Sequence, residues 1–513
     1  MKNPVGAPRL PMDDQSHRAV ALNLRSIQGM KRFFQSVLRL SALGVCLSVL
    51  ATALAGAAPL PRLKVSDNKR FLVTETGQPF FWLGDTAWWI RHLPPLPLEH
   101  YLSTRTKQGF NVIQVHCGFS VTNHAGAAAF VNNEPESPNE PFWRDLDHLV
   151  ARAREHRLYV ALVPMWGDEY GRAFGTNATR AFAFGRWIGR RYAAEPHVVW
   201  IVSGEYDAIN GYKLPIQPAQ KQLLIAVAQG LRDAHGGRQL MTIHPGVARS
   251  SAVDFHEEPW LAFNMLQSGH LIDSTANGLP ENHTLIANAY LRKPIKPVLD
   301  GEPIHEDTPN AVWLVKHING PRAGPDVVRR KAYWAVFSGA CGHTYGHNDV
   351  YGFFTPAFPG QVLSLSTRPS GPGQRGHWRE ALEAPGATQM QHLRRLIESL
   401  PYLTQAPDQT LVAGRERSPV DYLAAVRGEG YALVYTPTGK PFQVRLDKLS
   451  CREVQASWFD PRTGQYQAVG RLACTGQREF VPPEQGRDLD RVLVLDDISR
   501  KFTAPETSNR SRL

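Results

Sequence analysis

Two glutamates stand at the ends of two short apolar runs. Residues 200–205 and 297–302 each pass from apolar side chains through one or two small residues to a carboxylate, Glu205 in the first run and Glu302 in the second. Runs of this length are typical of buried parallel strands, which deliver the next side chains into a loop. Two carboxylates that face each other across a sugar can hydrolyse its glycosidic bond, one as nucleophile and one as acid and then base. The pattern predicts Glu302 as the nucleophile and Glu205 as the acid/base.

Both glutamates also have simpler interpretations. Either could be a surface charge on a loop or one partner of a salt bridge. Three more acidic residues lie close to them in sequence and compete for the same roles: Asp207, Asp300 and Glu306. The two-carboxylate hypothesis therefore depends on the elements that position Glu205 and Glu302.

Those elements follow a repeating pattern. A hairpin is predicted at residues 63–83, and its second strand leads into Asp85. Apolar runs of strand length then recur, with helix-like patterns between them, at residues 112–116, 159–163, 198–202, 240–244, 261–266, 298–299 and 337–343. Each interval has room for the crossover helix that parallel neighbours require. Eight such units predict an α/β fold, a (β/α)8 TIM barrel, over residues 58–405. An open doubly wound sheet is the alternative, although no Gly-rich phosphate-binding motif follows the first strand.

A TIM barrel carries its chemistry at the C-terminal ends of its strands. The residues there suit a polyhydroxylated substrate, because indole rings stack on sugar C–H faces and His, Asn, Gln and Asp hydrogen-bond hydroxyl groups. The predicted sugar-contacting residues are Asp85, Trp88, Gln114, His116, Trp166, His244, Asn264, Gln267, His343 and Tyr345. Taken singly, a Trp at a strand end more often belongs to the core, and a buried His is usually bonded to a neighbour. The shared position of these residues favours the substrate interpretation.

Other chemistries have weaker patterns. His343, His347 and Asp349 could bind a metal ion, but the three glycines around them indicate a loop, and an i, i+4 pair of histidines faces one ligand only on a helix. A Ser/His/Asp hydrolase would need a G-x-S-x-G motif, which the sequence lacks. We expect no metal and no cofactor.

The N-terminal residues predict export. Residues 30–33 read Met-Lys-Arg-Phe, residues 40–54 are largely apolar, and residues 55–57 read Ala-Gly-Ala. A charged region, an apolar region and an A-x-A site are the parts of a signal peptide, so we expect residues 1–57 to be a leader and signal peptide. A single membrane anchor is the alternative, but the apolar stretch is short for a span. The prediction is an exported, periplasmic or extracellular protein with no stable membrane insertion after cleavage.

The positive charge of the chain does not indicate nucleic-acid binding. The formal net charge is +11, and residues 1–57 alone carry seven Lys/Arg against two Asp. The rest of the chain has no basic patch with interleaved aromatic residues, so nucleic acid is not an expected partner. The expected partner is a polysaccharide or oligosaccharide substrate, and the sequence does not indicate an oligomeric state.

The C-terminal part of the chain changes character. Short β-rich segments follow at close spacing, at residues 422–426, 431–436, 442–446, 454–459, 466–469 and 492–495. Turn residues separate them, so a small all-β antiparallel sandwich is predicted over residues 406–500, with a tail at residues 501–513. Cys451 and Cys474 both lie in this region and could pair in an oxidising compartment.

Several of these motifs resemble one known family. Residues 80–88 (Phe-Phe-Trp-Leu-Gly-Asp-Thr-Ala-Trp) and 109–114 (Gly-Phe-Asn-Val-Ile-Gln), with residues 200–205, 300–303 and 342–346, are similar to the apiosidase-like (DUF4038-type) TIM barrels of glycoside hydrolase family 140. Residues 458–464 (Trp-Phe-Asp-Pro-Arg-Thr-Gly) resemble a module, named for collagen binding, that commonly follows such barrels. Together the two resemblances cover nearly all of residues 60–500.

The resemblance implies a retaining hydrolase of plant cell-wall pectin side chains that acts at apiose, with its carboxylates on strands four and seven. Glu302 matches the nucleophile position of the family. Glu205 stands where the family pattern has the aspartate of a Gly-Gly-Asp, and its longer side chain could shift the proton donor or the sugar accepted. The rival hypothesis is a non-catalytic extracellular protein that binds carbohydrate or collagen.

Overall fold

A small antiparallel sheet comes first in the described part of the chain. The computed structural model describes residues 59–208, 216–315, 317–357, 360–361, 371–414, 417–500 and 502. The predicted leader and, apart from residue 502, the predicted tail lie outside the described residues. The first sheet consists of β1 (Leu63–Val65), β2 (Leu72–Thr74) and β3 (Pro79–Phe80). It occupies the position of the predicted hairpin.

Eight parallel strands form the central sheet. They are β4 (Trp82–Thr86), β5 (Val112–His116), β6 (Tyr159–Val163), β7 (Val198–Ile201), β8 (Met241–Thr242), β10 (Asn264–Gln267), β11 (Val298–Asp300) and β12 (Gly342–Tyr345). The hydrogen-bonded order runs from β8 back to β4 and then from β12 to β10, so the first and last strands pair. Nearly every residue in these strands is buried, as expected when helices cover a parallel sheet.

The two ends of this sheet meet between β8 and β10. The Ala262 N–H donates to the Met241 carbonyl at 2.9 Å. The Thr242 hydroxyl donates to the Phe263 carbonyl at 2.7 Å. A short strand, β9 (Arg249–Ser250), pairs antiparallel with β10. These contacts curl the sheet into the predicted TIM-type barrel, and the open doubly wound alternative is wrong.

Helices connect the strands. They are α1 (Pro95–Lys107), α2 (Glu140–Glu155), α3 (Glu169–Phe174), α4 (Ala178–Tyr192), α5 (Pro218–His235), α6 (Asn282–Tyr290), α7 (Val312–Val315), α8 (Pro325–Phe337), α9 (Trp378–Ala381) and α10 (Pro385–Glu398). Single 3-10 turns lie at Ile90–His92, Val131–Asn133, Ser251–Val253, Thr275–Asn277, Tyr402–Thr404, Gln409–Leu411, Pro419–Asp421, Leu446–Lys448 and Ile498–Arg500. Within the described residues we find no helix with the length and apolar character needed to cross a bilayer.

Local sequence explains where the longer helices begin and end. Helix α4 begins after Asn177, whose side chain accepts a hydrogen bond from the Arg180 N–H at 3.0 Å, as an N-cap residue does. Helix α5 ends at Gly236, which has a φ of 60° in the left-handed region that glycine adopts without steric cost. Each helix buries one face: α2 buries Leu146, Leu149, Val150 and Ala153, and α4 buries Ala181, Phe184, Ile188 and Tyr192.

The predicted eighth strand was misplaced. Residues up to Phe337 belong to helix α8, and the strand itself begins at Gly342. Nearly the whole of α8 is buried, so its apolar residues form an almost continuous run at its C-terminal end. A short apolar run cannot distinguish a buried helix from a buried strand by periodicity alone. Gly339, with a φ of 108°, lies in the turn that separates the two elements.

Two antiparallel sheets form the C-terminal sandwich. The larger contains β13 (Ala406–Pro407), β15 (Ala424–Gly428), β16 (Tyr431–Thr436), β18 (Glu453–Phe459), β19 (Tyr466–Ala473) and β21 (Arg491–Asp497), and the smaller contains β14 (Val412–Ala413), β17 (Phe442–Arg445) and β20 (Gln477–Phe480). Trp458, Phe442 and Phe480 meet in the core between the sheets. Cys451 and Cys474 form a disulfide at the edge of this core.

The sandwich packs directly against the barrel. Tyr333 of α8 stacks on Tyr435 of β16, with ring centroids 4.9 Å apart. The Trp334 indole N–H donates to the Tyr422 carbonyl at 2.9 Å. Arg329 of α8 is fully buried and lies 2.6 Å from the buried carboxylate of Asp490. The larger sheet thus has two apolar faces, one toward the smaller sheet and one toward the barrel helices.

Candidate active site

Glu302 lies just beyond the end of β11 and is almost completely buried. Its side chain is 5% exposed. The strand end is anchored from two sides, because the Gly301 N–H donates to the Leu266 carbonyl at 2.8 Å and the Gln114 amide donates to the Gly301 carbonyl at 2.8 Å. A side chain at Gly301 would overlap Met265, so a glycine allows this close approach. The backbone therefore holds the Glu302 carboxylate at a defined position.

Three histidines surround the Glu302 carboxylate. His244 Nε2 lies 2.9 Å from Oε2, while His270 Nε2 and His305 Nε2 lie 3.4 Å and 3.6 Å from Oε1. Burial alone would raise the pKa of Glu302, but the contacts with His244 and His270 outweigh burial and hold that pKa well below its usual range. Glu302 is therefore a carboxylate, not a carboxylic acid, at neutral pH.

The same pairing acts on His244. Burial disfavours its charged form, but the hydrogen bond to Glu302 and the charges of Glu302 and Glu205 outweigh burial and raise the pKa of His244 above its usual value. The two partners thus support each other's charge.

Glu205 follows β7 in a loop and is half-buried. Its φ of 42° lies in the left-handed region, which a non-glycine residue seldom adopts. The Gln267 amide donates to its Oε1 at 3.0 Å. Strained backbone of this kind is common where a side chain is held for function. The loop therefore presents the Glu205 carboxylate beside the end of β10.

Two residues connect the two glutamates. His244 approaches the Glu205 N–H with Nδ1 at 3.5 Å and Glu302 with Nε2 at 2.9 Å. The pKa of the Tyr351 hydroxyl is raised above its usual range, first by burial and then by the negative charges of Glu302, Asp349 and Glu205. Both glutamates therefore lie close enough to Tyr351 to act on it. Glu205 and Glu302 therefore converge on one site at the C-terminal ends of the strands.

Aromatic rings form one side of this site. The rings of Trp88 and Trp166 lie 4.8 Å apart, and Trp166 lies 5.5 Å from His244 and 5.6 Å from His116. Trp166 is partly exposed, whereas Trp88 is buried. Gly204 allows this packing, since a Cβ there would lie 2.2 Å from the Trp166 ring. The partly exposed Trp166 ring, supported by Trp88, offers a flat apolar surface on which a sugar ring can stack.

Several predicted sugar-contacting residues are joined to the glutamates. Gln267 bonds Glu205, Gln114 bonds the backbone beside Glu302, and His244 contacts both. Trp88 Nε1, Gln114 Oε1 and Gln267 Oε1 are among the buried polar atoms here that have no hydrogen-bond partner within the described residues. Sugar hydroxyl groups are one class of group that could pair with such atoms.

The structure removes three residues from the predicted sugar-contacting set. Asp85 is fully buried and accepts hydrogen bonds from Arg105 at 2.7 Å and from Tyr101 at 2.5 Å. Tyr345 donates to Glu306 at 2.6 Å, and Asn264 is paired with His256 at 3.2 Å. All three are held by internal partners because their strands are covered by helices and loops. We correct their assignment from substrate contact to structural support.

Two predicted histidines occupy intermediate positions. His116 contacts the Trp166 ring, and its Nε2 lies 3.5 Å from the buried carboxylate of Glu169. His343 is buried, and burial lowers the pKa of its imidazole to about 3, so its ring is neutral. Its Nδ1 has no hydrogen-bond partner among the described residues. Neither residue touches Glu205 or Glu302 through a described hydrogen bond.

The competing carboxylates all have internal partners. Asp207 lies 3.0 Å from Arg249, and Asp300 accepts from the Ser268 hydroxyl at 2.8 Å. Burial raises the pKa of Asp300 to about 6, although Ser268 and Asn282 oppose that rise. Glu306 accepts from Tyr345 and from the Gly386 N–H at 3.2 Å. These bonds leave Glu205 and Glu302 as the candidate reacting pair.

The predicted alternative metal site does not form. His347 Nδ1 accepts from the Asp349 N–H at 3.1 Å, so one of its ring nitrogens is used. The carboxylate of Asp349 accepts from two backbone N–H groups, at Arg375 and Gly376. His347 and Asp349 are therefore engaged in loop structure, whereas His343 lies within β12.

Two histidines that contact Glu302 were missed by sequence reasoning. His270 and His305 stand outside the apolar runs, in the loops after β10 and β11. Their ring centroids lie 4.7 Å apart. His305 follows Glu302 by only three residues, and this short spacing was the one hint in the sequence. In a loop, however, such a spacing does not predict that the two side chains are in contact. Only the folded loops bring His270 to the same carboxylate.

Comparisons with known proteins identify the family of each part of the chain. The profile of the apiosidase-like catalytic domain matches residues 66–404. A second profile, named for a collagen-binding domain of a collagenase, matches residues 406–496. No curated protein sequence matches the chain.

Two solved structures resemble the chain along most of its length. One, described as a glycoside hydrolase, is 30% identical, with 86% of this chain and 98% of that chain covered and a TM-score of 0.76. The other, described as a glycoside hydrolase family 5 protein from Bacteroides vulgatus, is 30% identical, with 86% and 95% covered and a TM-score of 0.77. The chain belongs to the apiosidase-like catalytic-domain family and is a glycoside hydrolase.

Proposed function

We propose that this glycoside hydrolase works by the retaining mechanism, with Glu302 as nucleophile and Glu205 as acid/base. The observation that carries the proposal is the placement of the buried Glu302 carboxylate against His244, His270 and His305, while His244 also approaches the backbone N–H of a second carboxylate residue, Glu205. A nucleophilic carboxylate must be unprotonated before it attacks. The histidines around Glu302 meet that requirement.

The two glutamates then share the reaction. An oxygen of Glu302 attacks the anomeric carbon while Glu205 donates a proton to the departing glycosidic oxygen, and a covalent glycosyl ester forms. In the second half, Glu205 removes a proton from water, the water oxygen attacks the anomeric carbon, and the ester bond to Glu302 breaks. Both carboxyl groups return to their starting protonation states.

The proposed substrates are plant cell-wall glycans of the pectin type, with apiosyl linkages as the first candidates. The family resemblance supports this substrate class, and the partly exposed Trp166 ring suits stacking on a sugar. The departure at Ser203-Gly204-Glu205 from the Gly-Gly-Asp pattern bears on which sugar is accepted. Assignment to glycoside hydrolase family 140 stays a prediction.

Export is part of the proposal. The charged, apolar and Ala-Gly-Ala segments of residues 30–57 support a cleaved signal peptide. The Cys451–Cys474 disulfide supports the same conclusion, because disulfides persist mainly in oxidising compartments. We propose a periplasmic or extracellular location.

The test is hydrolysis of a plant-polysaccharide panel, with the first-formed anomer identified by NMR. An activated 2-deoxy-2-fluoro glycoside of the sugar that is released should then trap an ester on Glu302, detected by peptide mass spectrometry. Retention and trapping on Glu302 support the proposal, whereas inversion or labelling of another residue overturns it.

Titration with collagen tests the rival hypothesis. Collagen binding without hydrolysis of any glycan would favour a non-catalytic protein.

A further inference from the structure

Glu302 forms a second constellation that the proposed reaction does not use. His270, Glu302 and His305 each offer a ligand atom, and these atoms lie within 4.8 Å of one another. Both histidines approach the same carboxylate oxygen, Oε1, through Nε2. The other oxygen, Oε2, is held by His244 at 2.9 Å. The carboxylate is therefore oriented so that one oxygen faces two imidazoles.

The His305 ring packs against His270 and Tyr351 but makes no hydrogen bond within the described structure. Its side chain is 2% exposed. Neither ring nitrogen has a hydrogen-bond partner among the described residues, and an unpaired buried polar atom is unfavourable. Gly346 makes room for the ring, since a Cβ there would lie 2.6 Å from its Nε2. The loop thus places an unpaired imidazole nitrogen against Glu302.

The distances fit a metal ion better than hydrogen bonds. The 3.4 Å and 3.6 Å separations exceed the usual N–H···O range of about 2.7–3.2 Å. Two ligand atoms at about 2.0–2.1 Å from a tetrahedral Zn²⁺ lie about 3.3 Å apart. Imidazole nitrogen and carboxylate oxygen are also ligand types that zinc accepts. The three ligand atoms, which lie within 4.8 Å of one another, would move closer together on coordination.

We propose that His270, His305 and Glu302 bind a divalent transition-metal ion, Zn²⁺ in the test below, and that this ion inhibits the enzyme. The inhibitory part rests on the proposed role of Glu302 as nucleophile, because an ion on Oε1 withdraws electron density from the attacking carboxylate and occupies space at the anomeric carbon. The ion is an inhibitor here, not a cofactor, since the proposed reaction runs without it.

The binding test uses the full chain, freed of metal by chelation, in isothermal titration with ZnCl₂. One ion per chain is expected. His305→Gln and His270→Ala should each weaken binding by at least about a hundredfold, since even partners outside the coordination sphere contribute about 10–100-fold. His317→Ala, which removes an exposed histidine, is the matched control and should bind as the parent does.

X-ray absorption at the zinc edge should show two imidazole ligands in the parent protein and one in His305→Gln. Mg²⁺ should not compete, because it prefers oxygen ligands. Absence of binding, or binding that both variants leave unchanged, overturns the site. Circular dichroism melting of each variant shows that lost binding is not lost folding.

Inhibition is measured separately, on the substrate that the panel identifies. ZnCl₂ should abolish hydrolysis in the parent and in His317→Ala, and excess chelator should restore it. In His305→Gln the residual activity should resist zinc at concentrations about a hundredfold higher, matching the lost affinity. Equal zinc sensitivity of parent and His305→Gln overturns the inhibitory role. If no glycan is hydrolysed, the proposed function fails while titration and absorption still decide the metal site.

Discussion

Glu302 shows how neighbouring side chains set the chemistry of one residue. Burial by itself would favour a neutral carboxylic acid, which cannot attack carbon. His244, His270 and His305 reverse that tendency because they all face the carboxylate. Glu205 has a different setting, since it is half-buried and its partner Gln267 is uncharged. Two identical side chains thus lie in different electrostatic surroundings, in line with the different roles proposed for them.

Replacement of Glu302 by glutamine should abolish turnover. The amide keeps the shape of the side chain but is not a nucleophile, so we expect kcat to fall by about 10⁴-fold or more, in the range seen when a nucleophile is removed. The measurement is reducing-sugar release, with far-UV circular dichroism to verify folding. Activity within tenfold of the parent's (about 1.4 kcal/mol) would contradict the nucleophile assignment.

Replacement of Glu205 by alanine should affect substrates unequally. A general acid contributes about 10²–10⁴-fold when the leaving group needs a proton. Aryl glycosides with acidic phenols need little protonation, so their cleavage should be far less impaired than that of the natural glycan. Steady-state kinetics on both substrates check this, and equal losses on the two would remove Glu205 from the acid role.

The His244–Glu302 pair should make stability depend on pH. A raised pKa for His244 means that its contribution is complete below its ordinary value of about 6.5 and is lost as pH rises through the folded-state value. The lowered pKa of Glu302 means that its contribution is present above about 4.3 and is lost only at much lower pH. The pair is therefore most stabilising between these two values.

The check is a series of thermal melts of the parent and His244→Gln. The melting temperature of the parent should fall as pH rises above about 6.5, and the fall should be smaller in His244→Gln, which has no proton to lose. Parallel curves for the two proteins would show that His244 does not carry a raised pKa.

At the scale of elements, glycines next to the catalytic strand ends allow close packing. Gly301 precedes Glu302 and lies against Met265, and Gly204 precedes Glu205 and lies against the Trp166 ring. The Gly204 N–H also donates to the Met165 carbonyl at 2.9 Å, which extends the pairing of β6 with β7. The aromatic side of the site therefore depends on a residue with no side chain.

Gly204→Ala should displace the Trp166 ring. The new methyl group would lie 2.2 Å from the ring, and overpacking of this kind typically costs about 1–3 kcal/mol. We expect a lower melting temperature, altered tryptophan fluorescence and a raised KM. Gly171→Ala is the matched control, because a Cβ there meets nothing within 4 Å and alanine suits a helix. Identical melting and KM in the two variants would contradict this account of Gly204.

At the scale of the whole molecule, a buried ion pair connects the sandwich to the barrel. Aromatic residues pack around this ion pair at the interface between the two parts. Arg329 of α8 reaches Asp490 and Asp488 before β21 and donates to Gln389 of α10 at 2.6 Å. Asp490 also accepts from the Tyr435 hydroxyl at 3.2 Å. The contact joins helices α8 and α10 of the barrel to the residues before β21 and to Tyr435 of β16, so we expect the barrel and the sandwich to unfold together.

Arg329→Ala should weaken that coupling. It leaves the buried Asp490 without its cation, and loss of one partner of a buried pair costs about 3–5 kcal/mol. Differential scanning calorimetry should show a lower melting temperature and two transitions in place of one. Arg487→Ala removes an exposed partner of Asp326 and should change stability by at most about 1 kcal/mol. A single unshifted transition in Arg329→Ala would contradict the proposed coupling.

Most of the barrel could be predicted from local sequence. Continuous apolar runs, separated by helix-like patterns, predicted seven of the eight parallel strands near their observed positions. Strands of a sheet that helices cover are buried on both faces, so their sequences are continuously apolar. The eighth failed because helix α8 is buried on nearly all sides and its apolar end at Phe337 looks like a strand. The strands of the sandwich could be predicted from a different signal, namely short β-rich segments separated by turn residues.

The amino-acid sequence by itself determined the family, the order of the elements and the two carboxylates that follow apolar strands, since these depend on residue types and short-range spacing. Tertiary structure alone decided which polar groups are already used: Asp85 by Arg105 and Tyr345 by Glu306. It also brought His270 and His305 to Glu302. The physical reason is that pKa and hydrogen bonding depend on distances between side chains far apart in the chain, which periodicity does not encode.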